Sequence, residues 1–254
     1  MKKTILILLL ALIYIAAAQN NLNYSMFKDE KYSVIDNRTA DLVLQDTIPA
    51  NFPAITINAS DNPAAGNIFL TSINTSSIKS NFIMALDNFG KPVYYYKPLF
   101  AGIDFKMQPN GMFSYSEPVK IGSIYQAGPI NVQNVMVINY ILDETYKKID
   151  SVQCQNSYLA DLHDFIILPN GHYLMLAYEP LYVDMSKIVP EGNPNALVIG
   201  TVIQELDHNK RCIFQWRSYD NIPITDTQDN ILNAYFEHVH GNAFHLDADG
   251  NLLV

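Results

Sequence analysis

Charged residues are scarce in this sequence, and basic residues are scarcer than acidic ones. Only 16% of the 254 residues are charged, with 16 Lys and Arg against 25 Asp and Glu, and the formal net charge is −9. The basic residues form no patch along the chain. Because nucleic acid backbones are bound by clustered Lys and Arg, this composition argues against a nucleic acid partner.

The motifs of several enzyme classes are missing. The sequence has no G-x-S-x-G elbow, no P-loop, no G-x-G-x-x-G dinucleotide motif and no H-E-x-x-H metal motif. Its acidic residues are spread through turns and are not paired as a glycosidase requires. We therefore predict no cofactor.

A long apolar run occurs only at the N-terminus. Lys2 and Lys3 precede an apolar stretch from Thr4 to Ile15, and the small residues 16–18 follow. This pattern predicts a secretory signal peptide over residues 1–18, and the run is shorter than a membrane-spanning helix needs. No cysteine follows it, so we do not expect a lipoprotein anchor. We predict a secreted or periplasmic protein without a stable membrane anchor.

Cysteine is nearly absent, since Cys154 and Cys212 are the only two. In an exported protein they could form a disulfide. They stand at different positions within the repeat described below, however, and two buried thiols fit equally well. The sequence leaves both alternatives open.

Aromatic and aliphatic side chains are abundant. Hydrophobic residues make up 49% of the chain, which includes 16 tyrosines and 12 phenylalanines, and this is enough for a sizeable core. Aromatic rings pack well on a pleated surface, and helix signals are nearly absent. We therefore predict an all-β fold.

An internal repeat organises the chain from residue 81 onward. Each copy opens with an apolar strand that ends at an aspartate before a short polar turn, and a later strand carries a phenylalanine that a glycine follows at constant spacing. These positions are Asp87, Asp143 and Asp207, then Phe105, Phe165 and Phe244, then Gly111, Gly171 and Gly250. The glycines indicate tight hairpin turns, because glycine adopts positive φ without a steric cost.

Tandem units of about four strands are typical of a β-propeller. A β-sandwich also has hairpins at regular spacing, but the repeated registers favour the propeller. We predict an irregular lead-in over residues 19–60 and an incomplete propeller of about three blades over residues 61–254, truncated within a blade. Because an unclosed propeller exposes a sheet edge, we expect the chain to be part of a longer protein.

Two histidines stand at related positions of successive repeats. Residues i and i+2 of a strand share a face, so we predict that His163 points the same way as Phe165. By the same rule His240, Asn242 and Phe244 share a face. In a propeller this strand can lie near the central channel, where both histidines would converge. The alternative for each is a half-buried, hydrogen-bonded histidine without a functional role.

The remaining histidines of this region indicate less. His238 and His240 form an H-x-H pair, which occurs in zinc sites. No third His or Cys stands at a recognisable spacing, so we predict no metal site. We expect His245, which alternation places opposite His240, to pack between blades.

Four stretches, taken in order, resemble the arylsulfotransferase (aryl-sulfate sulfotransferase) family. They are NFIMALDNFGKPVYYYK, LHDFIILPNGHYLMLAYE, GTVIQELDHNKRCIFQWRSYD and HVHGNAFHLDADGNLLV. The similarity runs from about Pro53 to Val254. Its most specific feature is the order of the motifs, with His-Asp-Phe before Pro-Asn-Gly and His-x-Asn before Asp-x-Asp-Gly-Asn-Leu-Leu.

The resemblance implies a six-bladed propeller and an exported bacterial enzyme. The family moves a sulfuryl group from a phenolic sulfate ester to a phenol, without a nucleotide donor, through a sulfohistidine intermediate. His163 is similar to the family's histidine in the His-Asp-Phe strand, and His240 and Asn242 are similar to its His-x-Asn pair. In the family these residues contact the sulfuryl group, where N–H donors stabilise the charge on its oxygens.

The family's channel arginine and nucleophilic histidine have no counterpart in this sequence. We expect both beyond Val254, and we therefore expect these 254 residues alone to be inactive and poorly folded. The alternative is a non-enzymatic envelope propeller that binds glycan or protein ligands, because fold alone does not determine function. A quinone-dependent dehydrogenase is less consistent with the sequence, since Trp216 is the only tryptophan.

Overall fold

The computed structural model describes residues 48–73, 81–125 and 132–254, the side chains of 119–125 and 132–136 excepted. The predicted signal peptide and most of the predicted lead-in lie outside these residues. Residues 48–60 contain no strand or helix. Phe52 packs on the rings of Phe82 and Tyr95, with centroid distances of 5.1 and 5.3 Å, and this contact attaches the irregular segment to the first sheet.

The described chain is all-β and forms four sheets, none of which closes on itself. Sheet 1 consists of β1 (Ile68–Ser72), β2 (Phe82–Leu86) and β3 (Pro92–Tyr96). Sheet 2 consists of β4 (Ile103–Met107), β5 (Phe113–Tyr125), β6 (Val132–Leu142) and β7 (Lys148–Val152). Sheet 3 consists of β8 (Leu159–Ile167), β9 (Tyr173–Val183), β10 (Ala196–Leu206), β11 (Cys212–Arg217) and β12 (Tyr235–Glu237). Sheet 4 is the hairpin of β13 (His245–Leu246) and β14 (Leu252–Leu253).

Nearly all strand pairs are antiparallel hairpins. The exception is β12, which runs parallel to residues Leu197–Ile199 of β10. Among the described residues, helix is confined to the short α1 (Ser218–Asn221) and to 3₁₀ turns at Met185–Lys187 and Ile224–Asp226. Within the described part of the chain, no helix has the length and hydrophobicity of a membrane-spanning segment.

The repeated aspartates build the short polar turns that the sequence predicts directly after them. In the turn after β2, Asp87 Oδ1 accepts the N–H groups of Phe89 and Lys91, each at 2.9 Å. The same two bonds, to the second and fourth N–H after the aspartate, recur at Asp143, Asp207 and Asp247. The third residue after the aspartate has positive φ at Gly90, Tyr146, Lys210 and Gly250. The repeat seen in the sequence is thus a repeat of local hydrogen bonding.

Sheets 2 and 3 each take their strands from two consecutive repeats. Repeats of about four strands led us to expect one sheet per repeat instead. Sheet 2 combines β4 and β5 of the first repeat with β6 and β7 of the second. The pairing of β5 with β6 runs from Phe113↔Leu142 to Tyr125↔Val132. The chain therefore passes from one sheet to the next within a repeat, and not between two repeats.

Successive sheets pack against each other, and the repeated phenylalanines fill the spaces between them. Phe105 lies in the core between sheets 1 and 2, Phe165 between sheets 2 and 3, and Phe244 between sheet 3 and sheet 4. Their exposed fractions are 5%, 1% and 5%. Side chains of β9 alternate between its two faces. Tyr173 and Met175 pack toward sheet 2, whereas Leu174 and Leu176 pack toward sheet 4.

Both cysteines are free thiols in the structure. Cys154 and Cys212 pack at the margin of the core between sheets 2 and 3. Burial raises the pKa of the Cys154 thiol above its ordinary value, so this thiol stays protonated and is a poor nucleophile.

Gln108 joins sheet 2 to the outermost strand of sheet 3. Its Nε2 donates to Phe165 O at 2.9 Å, and its Oε1 accepts the N–H of Ile167 at 2.9 Å. Gln108 is only 3% exposed, and β8 ends the strand order of its sheet. The amide side chain therefore completes the backbone hydrogen bonds of β8 as a further strand would.

An ion cluster forms a second polar connection between the same sheets. Lys106 Nζ lies 2.8 Å from Asp104 Oδ2 and 2.5 Å from Asp164 Oδ1, which ties β4 to β8. Burial raises the pKa of Asp104 to about 6, although Lys106 acts in the opposite direction. Asp104 has a φ of 55°, a conformation that asparagine adopts as readily as aspartate.

We predict that Gln108→Leu lowers the free energy of unfolding by about 2–4 kcal/mol, because it leaves a buried N–H and a buried C=O without partners. Urea unfolding followed by circular dichroism measures the change. Gln153→Leu, at an exposed position of the loop after β7, is the matched control and should change stability little. Equal losses in the two variants would show that Gln108 does not serve β8 in this way.

We predict a pH dependence of stability from Asp104. Its pKa is raised from 3.8 to about 6, so the folded state keeps a proton that the unfolded chain has lost in this range. The contribution of Asp104 to the free energy of unfolding is therefore fully present below its pKa in the unfolded chain. It is lost as the pH rises through its pKa in the folded protein, a decline of about 2–3 kcal/mol. Asp104→Asn should remove this part of the decline. Unfolding curves of the two proteins from about pH 4 to about pH 7 test this, and parallel pH profiles would contradict it.

Candidate functional site

His163 and His240 lie against each other at the edge of sheet 3. Their ring centroids are 5.3 Å apart, and the ring planes meet edge to face at 78°. His163 comes from β8, and His240 comes from the irregular segment between β12 and β13. Their side chains are 38% and 48% exposed, so both rings remain accessible to a ligand.

A carboxylate holds each of the two rings. His163 Nδ1 lies 2.6 Å from Asp161 Oδ1, and His240 Nδ1 lies 2.6 Å from Glu237 Oε2. A carboxylate at Nδ1 orients the ring and places the Nδ1 proton between the two groups. Neither Nε2 atom hydrogen-bonds to another residue in the part of the chain that the structure describes. Each Nε2 is therefore available to accept a proton or to donate to an anion.

Two tyrosine hydroxyls flank these histidine–carboxylate pairs. Tyr178 Oη lies 3.4 Å from His163 Nδ1, and Tyr235 donates to Glu237 Oε1 at 3.3 Å. Burial is the main cause that raises the pKa of Tyr178, and nearby Asp161 adds to it. Burial likewise raises the pKa of Tyr235, with Glu237 as the next cause. Both phenols therefore stay neutral and can act as hydrogen-bond donors.

The strand that carries His163 is bulged at that position. Ala160 pairs with Ala177 and Phe165 with Met175, so the register slips between them. Strand alternation holds only where the ladder is regular, and a bulge redirects the side chains within it. Contrary to our prediction, His163 therefore does not share the buried environment of Phe165, and it turns toward Asp161.

The segment that carries His240 and Asn242 is not the strand that we predicted. Residues 238–244 have no strand conformation, and β13 begins only at His245. Phe244 is buried, whereas His240 and Asn242 are exposed, so the three do not share one face. Asn242 stands two residues from His240 but hydrogen-bonds to none of the described residues.

His238 and His245 lie apart from the histidine pair. His238 is 3% exposed, stacks on the Tyr219 ring at 5.1 Å and has its Nε2 3.2 Å from Pro223 O. It is a core residue. His245 is exposed on β13, although we expected it to be packed between blades. Among the described residues, no three His, Cys, Asp or Glu side chains are grouped as metal ligands would be.

Sequence reasoning missed Asp161 and Glu237, the two carboxylates of the site. The available signal was local, because an acidic residue stands two positions before His163 and three before His240. Alternation along a regular strand would place residues i and i+3 on opposite faces. That rule does not apply to Glu237 and His240, because the chain leaves the strand conformation directly after Glu237.

The comparisons with known proteins add no family to this geometry. No protein-family model matches the sequence, and no curated protein gives a significant match.

Proposed function

We propose that this chain is part of an exported arylsulfotransferase-like β-propeller, in which His163 and His240 bind the sulfuryl group of a phenolic sulfate ester. The observation that carries the proposal is the edge-to-face histidine pair with a carboxylate behind each ring. The stacked antiparallel sheets support it, because they are compatible with consecutive propeller blades.

The chemistry of a sulfate ester suits two oriented imidazoles. The ester is an anion, and negative charge is spread over its sulfuryl oxygens. With Nδ1 occupied by Asp161 or Glu237, each ring presents Nε2 to the ligand. An Nε2–H donates to a sulfuryl oxygen, while an unprotonated Nε2 accepts the proton of a phenol acceptor. The neutral Tyr178 hydroxyl hydrogen-bonds to Asp161 and so helps to hold the carboxylate behind the His163 ring.

The roles that we propose are confined to His163, His240 and Asn242. In the reaction that the resemblance implies, the S–O bond to the aryl group breaks, and the sulfuryl group is carried on a histidine until a phenol takes it. That nucleophilic histidine has no counterpart in this sequence. His163 and His240 therefore bind the sulfuryl group and stabilise it during transfer. The exposed side-chain amide of Asn242, two residues after His240, donates a hydrogen bond to the same group.

Because packed cores lie between the sheets, we predict that the purified 254-residue chain folds, in contrast to the poor folding expected from the sequence, and that it binds 4-nitrophenyl sulfate. His163→Ala and His240→Ala should each weaken binding by at least about tenfold. The reason is that a hydrogen bond to a charged group contributes roughly 1.5–3 kcal/mol. Titration calorimetry measures the affinities. His208→Ala is the matched control, because His208 lies exposed in the turn after Asp207 and should leave the affinity unchanged.

Two outcomes would count against the proposal. Equal binding of 4-nitrophenol and its sulfate ester would show that the sulfuryl group is not recognised. Binding of a glycan, but not of the sulfate ester, by the folded chain would favour the non-enzymatic binding propeller.

A further inference from the structure

The segment that carries His240 needs an anchor, because it lies outside every strand. The parallel pairing of β12 with β10 ends at the pair Ile199↔Glu237, and the N–H of His238 makes one more bond, to Ile199 O at 2.8 Å. Beyond that point no backbone ladder of the described residues fixes the position of His240.

Thr201 of β10 holds the two peptide groups that flank His240. Its Oγ1 donates to Val239 O at 2.6 Å and accepts the N–H of Gly241 at 3.0 Å. Thr201 is only 2% exposed, so both bonds are shielded from water. The close approach requires glycine, because a Cβ at position 241 would lie 2.9 Å from Thr201 Cγ2.

Asp164 of β8 holds the other end of the segment. Its Oδ2 accepts the N–H of Phe244 at 2.9 Å, while its Oδ1 contacts Lys106. Asp164 directly follows His163 in the chain. The bulge that presents His163 therefore also fixes the end of the segment that presents His240.

The sheet register connects these two anchors. Thr201 pairs with Tyr178 across the β10–β9 ladder, and the Tyr178 hydroxyl lies 3.4 Å from His163 Nδ1. The ladder thus places Thr201 directly opposite the tyrosine whose hydroxyl lies beside the His163 ring. The Thr201 hydroxyl in turn hydrogen-bonds to the backbone on both sides of His240.

We propose that Thr201 and Asp164 are positioning residues that set the imidazole of His240 against that of His163. The consequence for ligand binding rests on the proposed function, but the placement of the two rings does not. Thr201→Val keeps the shape of the side chain and removes the hydroxyl, whereas Thr201→Ser keeps the hydroxyl. The placement of the rings should follow the hydroxyl and not the shape.

The experiment uses the 254-residue chain with isotope-labelled histidine, and two signals are read by NMR. The first is the nuclear Overhauser effect between the ring protons of His163 and His240, assigned with His163→Ala and His240→Ala. The second is the affinity for 4-nitrophenyl sulfate. Thr201→Val should lose the ring-to-ring signal and bind about tenfold more weakly, as expected for one misplaced charge-assisted hydrogen bond. Thr201→Ser should retain both.

Two further variants separate positioning from general loss of stability. Thr145→Val removes a threonine hydroxyl that hydrogen-bonds to Asp143 in an exposed turn, and it should leave both signals unchanged. Asp164→Ala should reproduce the loss of the ring-to-ring signal. If Asp164→Ala does not fold, the two Thr201 variants still decide the question.

The proposal is overturned if folded Thr201→Val keeps the ring-to-ring signal, if Thr201→Ser loses it equally, or if the wild-type protein lacks it. A wild-type protein that shows the signal but does not bind the sulfate ester, with the signal lost in Thr201→Val, would support the positioning role and refute the proposed function.

Discussion

The carboxylate of Asp164 joins three consecutive sheets at one point. It belongs to β8 of sheet 3, it pairs with Lys106 of β4 in sheet 2, and it accepts the N–H of Phe244 just before sheet 4. Both histidines of the candidate site depend on this junction, since His163 precedes Asp164 and His240 lies on the segment that ends at Phe244. An 8% exposed carboxylate is costly to bury, and it is tolerated here because both of its oxygens have partners.

Apolar packing alone would not fix the positions of the two histidines relative to each other. The apolar side chains between the sheets, which include the repeated phenylalanines, favour stacking, but burial of apolar area has no direction and permits sliding. Gln108 and Asp164 add directed bonds between neighbouring sheets, at Phe165, Ile167 and Phe244. The cluster at Lys106 is not purely stabilising, because burial keeps the pKa of Asp104 raised. We infer that these polar contacts chiefly fix the register between sheets, a role that buried polar groups have in some other folds.

The parts of the fold that depend on local bonds could be predicted from the sequence. Hydrogen bonds to residues at most four positions away form the turns at Asp87, Asp143 and Asp207. A short stretch of sequence therefore contains the whole interaction. The pairing of β5 with β6 across two repeats could not be predicted in this way, because alternation does not identify the partner strand. The site was predictable only in part. His163 and His240 were identified and do meet, whereas Asp161, Glu237 and Thr201 were missed, because a bulge and an irregular segment replace the regular strands that we assumed.

The same irregularities allow the two histidine–carboxylate pairs to form. In a regular strand, side chains at i and i+3 point to opposite faces, so Glu237 could not support the ring of His240. The chain leaves the β12 ladder immediately after Glu237 and is held by Thr201, which brings these two side chains within 2.6 Å. Likewise, the bulge of β8 lets Asp161 reach Nδ1 of His163 while Asp164 turns to Lys106 and Phe244. Both histidine–carboxylate pairs thus form where the ladder is interrupted, and side chains of the neighbouring regular strands replace the hydrogen bonds that the ladder would have supplied.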